Sequence, residues 1–97
     1  MAAYIVAFYD IADAAAYQAY PPAVMPLLQK HKVEVLVADF GTKALEGGPR
    51  SACVVLRFES EDAALAWYND PEYAPVRKMR LDSTVNGNML LAKSFAP

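Results

Sequence analysis

The sequence predicts an α+β domain of order βαββαβ, a four-stranded antiparallel sheet with both helices on one face. Two observations carry this. Three short stretches rich in β-branched and aromatic residues read as strands, Ala3–Tyr9, Val33–Phe40 and Ser51–Phe58, and the apolar run in Asn88–Phe95 reads as a fourth. Between the first and second, and again between the third and fourth, apolar residues recur at helical spacing. Each half therefore runs strand, helix, strand. Right-handed crossovers place both helices on the same face of the sheet, which is the ferredoxin-like arrangement.

Taken in order, the first helix is expected to be capped by Asp13. Its face carries Tyr17, Tyr20, Val24, Leu27 or Leu28, and His31. Pro21, Pro22 and Pro26 interrupt it. Proline in a helix interior costs ~3 kcal/mol, so a break and restart are expected near Tyr20–Pro22. After the second strand, Gly47-Gly48-Pro49 marks a connection. The third strand leads into the second helical region, where Ser60 is a good N-cap and Glu61 and Asp62 suit the positive end of the helix dipole. Ala64, Trp67 and Tyr68 share its face. Asn69-Asp70-Pro71 then stops the helix. Asp70 as cap with Pro71 in the first turn starts another, which carries Tyr73, Val76, Arg77 and Arg80 on one stripe. Asn86-Gly87 reads as a turn before the last strand.

The chain of 97 residues suits a single domain spanning residues 1–97. Its net charge of −2 argues against a nucleic-acid surface. It has no apolar run of membrane-spanning length, and its first residues read as strand rather than as a signal peptide. One cysteine, Cys53, excludes an internal disulfide and a cysteine-based metal cluster; an inert thiol is the expectation. A cytoplasmic protein without metal or cofactor is expected.

The strands are apolar on both faces. Tyr4, Val6 and Phe8 alternate with Ile5, Ala7 and Tyr9, and Cys53 and Val55 alternate with Ala52, Val54 and Leu56. In the second strand, Val33, Val35 and Val37 are expected on one side, with Leu36, Ala38 and Phe40 on the other. Two helices cover only one face. A second copy of the chain is the simplest cover for the other, which predicts a homodimer with its sheets packed face to face. Arg57 would then need an acid at the interface, and Asp39 is the expected match.

Candidate site residues lie on the helices and one turn. Tyr17, Tyr20, Trp67, Tyr68 and Tyr73 suit an aromatic-rich pocket, and suit equally the core of a small domain. Tyr20, Tyr68 and Tyr73 are the candidates for orienting a substrate. His31, the one histidine, suits a general base, or a cation at a helix C-terminus; the spacing offers it no Asp, Ser or Cys partner. Arg80 can hold a carboxylate, or pair with an acid of its own chain such as Glu46, which could itself fold over the site.

The run Phe58-x-Ser60-x-x-x-Ala64-x-x-Trp67-Tyr68-x-x-Pro71-x-Tyr73, with Arg80 after it, resembles the "domain of unknown function 1330" family. Asp13-x-x-x-Tyr17-x-x-Tyr20 and Leu45-Glu46-Gly47 fit the same pattern. Where members usually carry a glycine after the first helix, this chain has His31-Lys32-Val33. The resemblance implies a dimeric α+β barrel, a superfamily that includes cofactor-free monooxygenases, isomerases and dehydratases of small, often aromatic molecules. The expectation is therefore a homodimer with one pocket per subunit. That pocket would serve either a cofactor-free enzyme acting on a small aromatic or carboxylate-bearing molecule, or a non-catalytic ligand-binding or interaction module.

Overall fold

A computed structural model describes residues 1–95. The element order is β1 (Ala3–Ile11), α1 (Ala14–Tyr17), α2 (Tyr20–Lys30), β2 (Glu34–Asp39), β3 (Ala52–Phe58), α3 (Glu61–Tyr68), α4 (Tyr73–Ser83) and β4 (Thr84–Lys93). The strands form one antiparallel sheet in the order β2-β3-β1-β4. This is the ferredoxin-like βαββαβ plan, with each helical crossover built from two pieces.

Alternation along β1 divides the two faces. Ala3, Ile5, Ala7 and Tyr9 are buried beneath the helices, whereas Tyr4, Val6 and Phe8 are half-buried on the opposite face. The core joins Ile5, Ala7 and Tyr9 to Leu56 and Phe58 of β3, Val24, Leu27 and Leu28 of α2, Trp67 of α3, and Tyr73 and Val76 of α4. Phe58 is fully enclosed, and burial of such a side chain contributes roughly 1.5–3 kcal/mol.

The first helical break falls at Gln18-Ala19, just ahead of the expected Tyr20–Pro22. Pro21 and Pro22 then sit in the first turn of α2, where amides have no intrahelical partner and their absence costs little. Asp13 caps α1 by accepting from the Ala16 amide at 3.0 Å, and Ser60 caps α3 by accepting from the Ala63 amide at 3.0 Å. The helix α4 begins at Tyr73, a little later than its Asp70-Pro71 signal; Asp70 instead orders the preceding turn by accepting from the Glu72 amide.

Two irregularities correct the sequence reading of the strands. Asn86-Gly87 is not a turn but lies inside β4, which starts directly after α4. Asn86 takes a φ of +56°, and the pairing shifts so that two residues of β4 oppose Tyr9. The Asn86 side chain donates to Asp10 at 3.0 Å, which fixes this bulge. The second correction lies in β2. Val35 pairs with Leu56 but Val37 pairs with Val55, leaving Leu36 as the extra residue. Facing is therefore reversed beyond Leu36. Val35 and Ala38 share the helix side, and Val37 and Asp39 take the other, which corrects the expected grouping of Val35 with Val37. Within the chain, Arg57 lies 3.7 Å from Glu34, and Asp39 accepts from the Gly41 amide.

Candidate functional site

A cavity of about 210 Å³ opens between α1–α2 and the helix side of the sheet. Its walls are mostly apolar: Ile5 and Ala7 of β1, Val24 and Leu28 of α2, and Val54 and Leu56 of β3. Met25, Val35 and Phe40 are half-exposed to exposed and stand at its rim. Phe40 packs edge-on against Tyr17, with ring centres 6.1 Å apart. The polar lining side chains are Tyr9, Tyr17, Tyr20, Trp67 and Arg80.

Arg80 is 5% exposed, yet it forms no ion pair with any acid among the described residues, and its Nε has no hydrogen-bond partner. Its guanidinium lies 5.9 Å from the centre of the Tyr9 ring. Burial acts to lower its pKa, the hydroxyls of Tyr73 and Tyr20 act to raise it, and the net shift is upward, so the group stays charged. A buried guanidinium without an anion is costly.

Two phenol pairs surround this charge. The Tyr20 and Tyr73 hydroxyls lie 3.0 Å apart, and those of Tyr9 and Tyr17 lie 2.5 Å apart. Burial, the largest cause, pushes the Tyr9, Tyr17 and Tyr20 phenols above the ordinary tyrosine range. All three are therefore protonated near neutral pH. Trp67 stacks on Tyr73, with ring centres 4.4 Å apart, and its indole N–H is buried without a partner.

Local sequence explains the placement. Tyr73, Val76, Arg80 and Ser83 form the buried stripe of α4. The Ser83 carbonyl accepts from the Ala12 and Asp13 amides, tying the end of α4 to the start of α1. The kink between α1 and α2 lets both Tyr17 and Tyr20 reach the core, one from each piece.

Of the sequence candidates, Tyr17, Tyr20, Trp67 and Arg80 line the cavity, and Tyr73 backs it through Tyr20. Tyr68 lies elsewhere. It stacks under the Arg77 guanidinium at 4.8 Å, and Arg77 also donates to the Tyr68 carbonyl, closing the end of α3. His31 is not in the lining either. At the end of α2 its Nε2 lies 2.8 Å from Asp70, which also accepts from Lys30 at 2.9 Å. The sequence spacing offered His31 no acid; Asp70, 39 positions away, supplies one and makes the histidine part of a clasp between the end of α2 and the turn before α4. Glu46 does not meet Arg80. It sits on the exposed connection before β3, in a shallow depression with Phe8, Arg50 and Cys53. Cys53 is half-buried on the outer side of the sheet.

Tyr9 and Phe40 were not foreseen at the site. Tyr9 shares parity with Ile5 and Ala7, which was a usable signal. Phe40 depends on the Leu36 bulge, which leaves no mark in composition.

The model of the domain of unknown function DUF1330 matches residues 2–95. The chain belongs to this family. Among solved structures, this DUF1330 chain is similar to a protein of unknown function from Rhodopseudomonas palustris, at 16% identity and a TM-score of 0.83, covering 99% of this chain and 84% of that one. A dimeric ferredoxin-like protein of unknown function from Thermobifida fusca matches at 16% identity and a TM-score of 0.67, covering 96% and 92%. A putative antibiotic biosynthesis monooxygenase from Nitrosomonas europaea matches at 12% identity and a TM-score of 0.59, covering 98% and 92%. At these identities the likeness is one of fold. No curated protein matches the sequence. No helix among the described residues is long and apolar enough to cross a membrane.

Proposed function

We propose that this DUF1330 chain binds a small organic anion, a carboxylate or similar oxyanion on a compact apolar body, in the cavity above Arg80. The observation that carries this reading is the buried guanidinium without an acid, at an otherwise apolar and aromatic cavity. The ligand's charge would compensate Arg80, and its body would replace water against Val24, Leu28, Val54 and Leu56. Tyr17 and Tyr20 would orient it, with Tyr73 and Trp67 supporting them. The lining supplies hydrogen-bond donors and a cation but no carboxylate, imidazole or thiol. Any catalysis by these side chains alone would therefore act by stabilising negative charge rather than by removing a proton. Tyr68, His31 and Glu46 have no part in it.

Thermal unfolding with a panel of small aromatic and branched aliphatic carboxylates, each beside its neutral amide, tests the reading. Carboxylates should raise the midpoint with concentration, and the amides should not. Arg80→Met should abolish the rise. An equal rise in the variant would remove Arg80 from the site.

Self-association through the outer sheet face belongs to the same proposal, giving a homodimeric α+β barrel in the cytosol with one cavity per domain. Two observations support it. Leu90 and Val37 are exposed, and Tyr4, Val6, Phe8 and Val55 are only half-buried, so the outer face is apolar and uncovered. The Thermobifida fusca neighbour is described as dimeric. Sedimentation equilibrium should give twice the chain mass at micromolar concentration.

A further inference from the structure

We infer that the cavity selects the ionised form of its ligand, so that a weakly acidic phenol or enol bound beside Arg80 gives up its proton at a pH where it would stay neutral in water. This rests on the anion-site reading above and goes beyond it. A carboxylate arrives ionised; a phenol or enol would be ionised by the site.

Hydrogen-bond donors outnumber acceptors around this cavity. A hydroxyl carries one proton. In each phenol pair, one proton lies between the two oxygens, 3.0 Å apart for Tyr20 and Tyr73 and 2.5 Å apart for Tyr9 and Tyr17. The other proton of each pair remains for an outside acceptor. Arg80 Nε–H and the Trp67 indole N–H are buried and also without partners. Four donors on residues in or directly behind the lining thus have no acceptor. The cavity's side chains include no carboxylate, amide or imidazole to accept a proton from a ligand. A neutral phenol or enol O–H could donate only to a tyrosine hydroxyl and would leave the guanidinium uncompensated. Its anion accepts from those donors and supplies the missing charge. The surrounding tyrosines are poor competitors for that role, since burial holds their own protons on. The ligand's O–H bond breaks, the electron pair stays on its oxygen, and the proton leaves to water.

The polar groups of the lining are Arg80 from α4, Tyr9 from β1, Tyr17 from α1, Tyr20 from α2 and Trp67 from α3. Tyr73 acts through Tyr20. The cluster of Asp70 with Lys30 and His31 lies outside this lining.

The test uses 4-nitrophenol, whose anion absorbs visible light while its neutral form does not. Its absorbance is titrated against pH with saturating protein and without it. The midpoint should fall by about one pH unit or more on binding, which corresponds to at least tenfold tighter binding of the anion. Arg80→Met should return the midpoint to the free value or above. Tyr20→Phe, which keeps the charge and removes a donor, should give a smaller fall than wild type. A bound midpoint equal to or above the free one would overturn the inference, as would an undiminished fall in both variants. Parallel thermal unfolding with 4-nitrobenzoate separates the two claims. If 4-nitrobenzoate stabilises the protein in an Arg80-dependent way while the 4-nitrophenol midpoint stays put, selection of the ionised form is wrong and the anion site stands. If neither compound binds, both fall.

Discussion

The hydroxyl of Tyr20 meets the hydroxyl of Tyr73 at 3.0 Å, joining α2 to α4 across 53 positions of sequence. Both side chains are buried, so neither oxygen can turn to bulk water when its partner is lost. Tyr20→Phe or Tyr73→Phe should each cost about 1–3 kcal/mol, the penalty of one unsatisfied buried hydroxyl. The double variant should lose less than the sum, with a coupling of about 0.5–3 kcal/mol. Urea unfolding of the four proteins closes this cycle; strict additivity would mean that the contact carries no energy.

Arg80 shows the opposite behaviour. Its charge is buried and unmatched by any acid among the described residues. Without ligand, Arg80→Met should leave stability unchanged or raise it by on the order of 1 kcal/mol, since an apolar chain of similar length suits the site better. A loss above about 2 kcal/mol would point instead to a structural role for the guanidinium.

Lys32 occupies the left-handed region, with φ of +54°, just after α2. Its amide and that of Val33 donate back to Gln29 and Leu28, closing the helix end. The backbone thus takes the shape that glycine usually provides, with a lysine in it. Lys32→Gly should stabilise the protein by about 1 kcal/mol and raise Tm by roughly 4–8 °C in a domain of this size. Calorimetry reads this directly, and a lowered Tm would contradict it.

Asp70 should govern acid sensitivity. Hydrogen bonds from Lys30 and then His31, with the Glu72 amide, hold its carboxyl well below the usual range. Because the folded-state pKa is the lower one, the stabilisation is present above the unfolded carboxyl pKa and is lost as pH falls toward the folded value. Urea midpoints of wild type should therefore drop between about pH 5 and pH 2, and Asp70→Asn should flatten that part of the profile. An unchanged slope in the variant would assign the acid sensitivity to other carboxylates.

The order of strands and helices was legible because the strands are short apolar runs bounded by helical spacing, and each helix carries a cap or proline signal. Tyr17, Tyr20, Trp67, Tyr73 and Arg80 were legible as inward-facing because helical spacing puts them on shared stripes, but the same spacing also drew in Tyr68, which lies under Arg77 instead. The pairing of His31 with Asp70 was not legible, because it joins two elements far apart in the chain, and spacing speaks only within one element. Glu46 was misplaced for a related reason, since a connection rich in glycine gives no periodicity to say where it lies. The bulges at Leu36 and Asn86 depend on pairing between strands, so no local pattern reveals them.

The extra residue at Leu36 also sets the electrical character of the cavity. In an unbroken strand, Val35, Val37 and Asp39 would all face the helices, and a carboxylate would stand on Arg80's side of the sheet. The bulge sends Asp39 to the outer side and brings Ala38 and Phe40 inward. With Asp39 turned outward, the lining that β2 and the residue after it give the cavity is Val35, Ala38 and Phe40, all apolar.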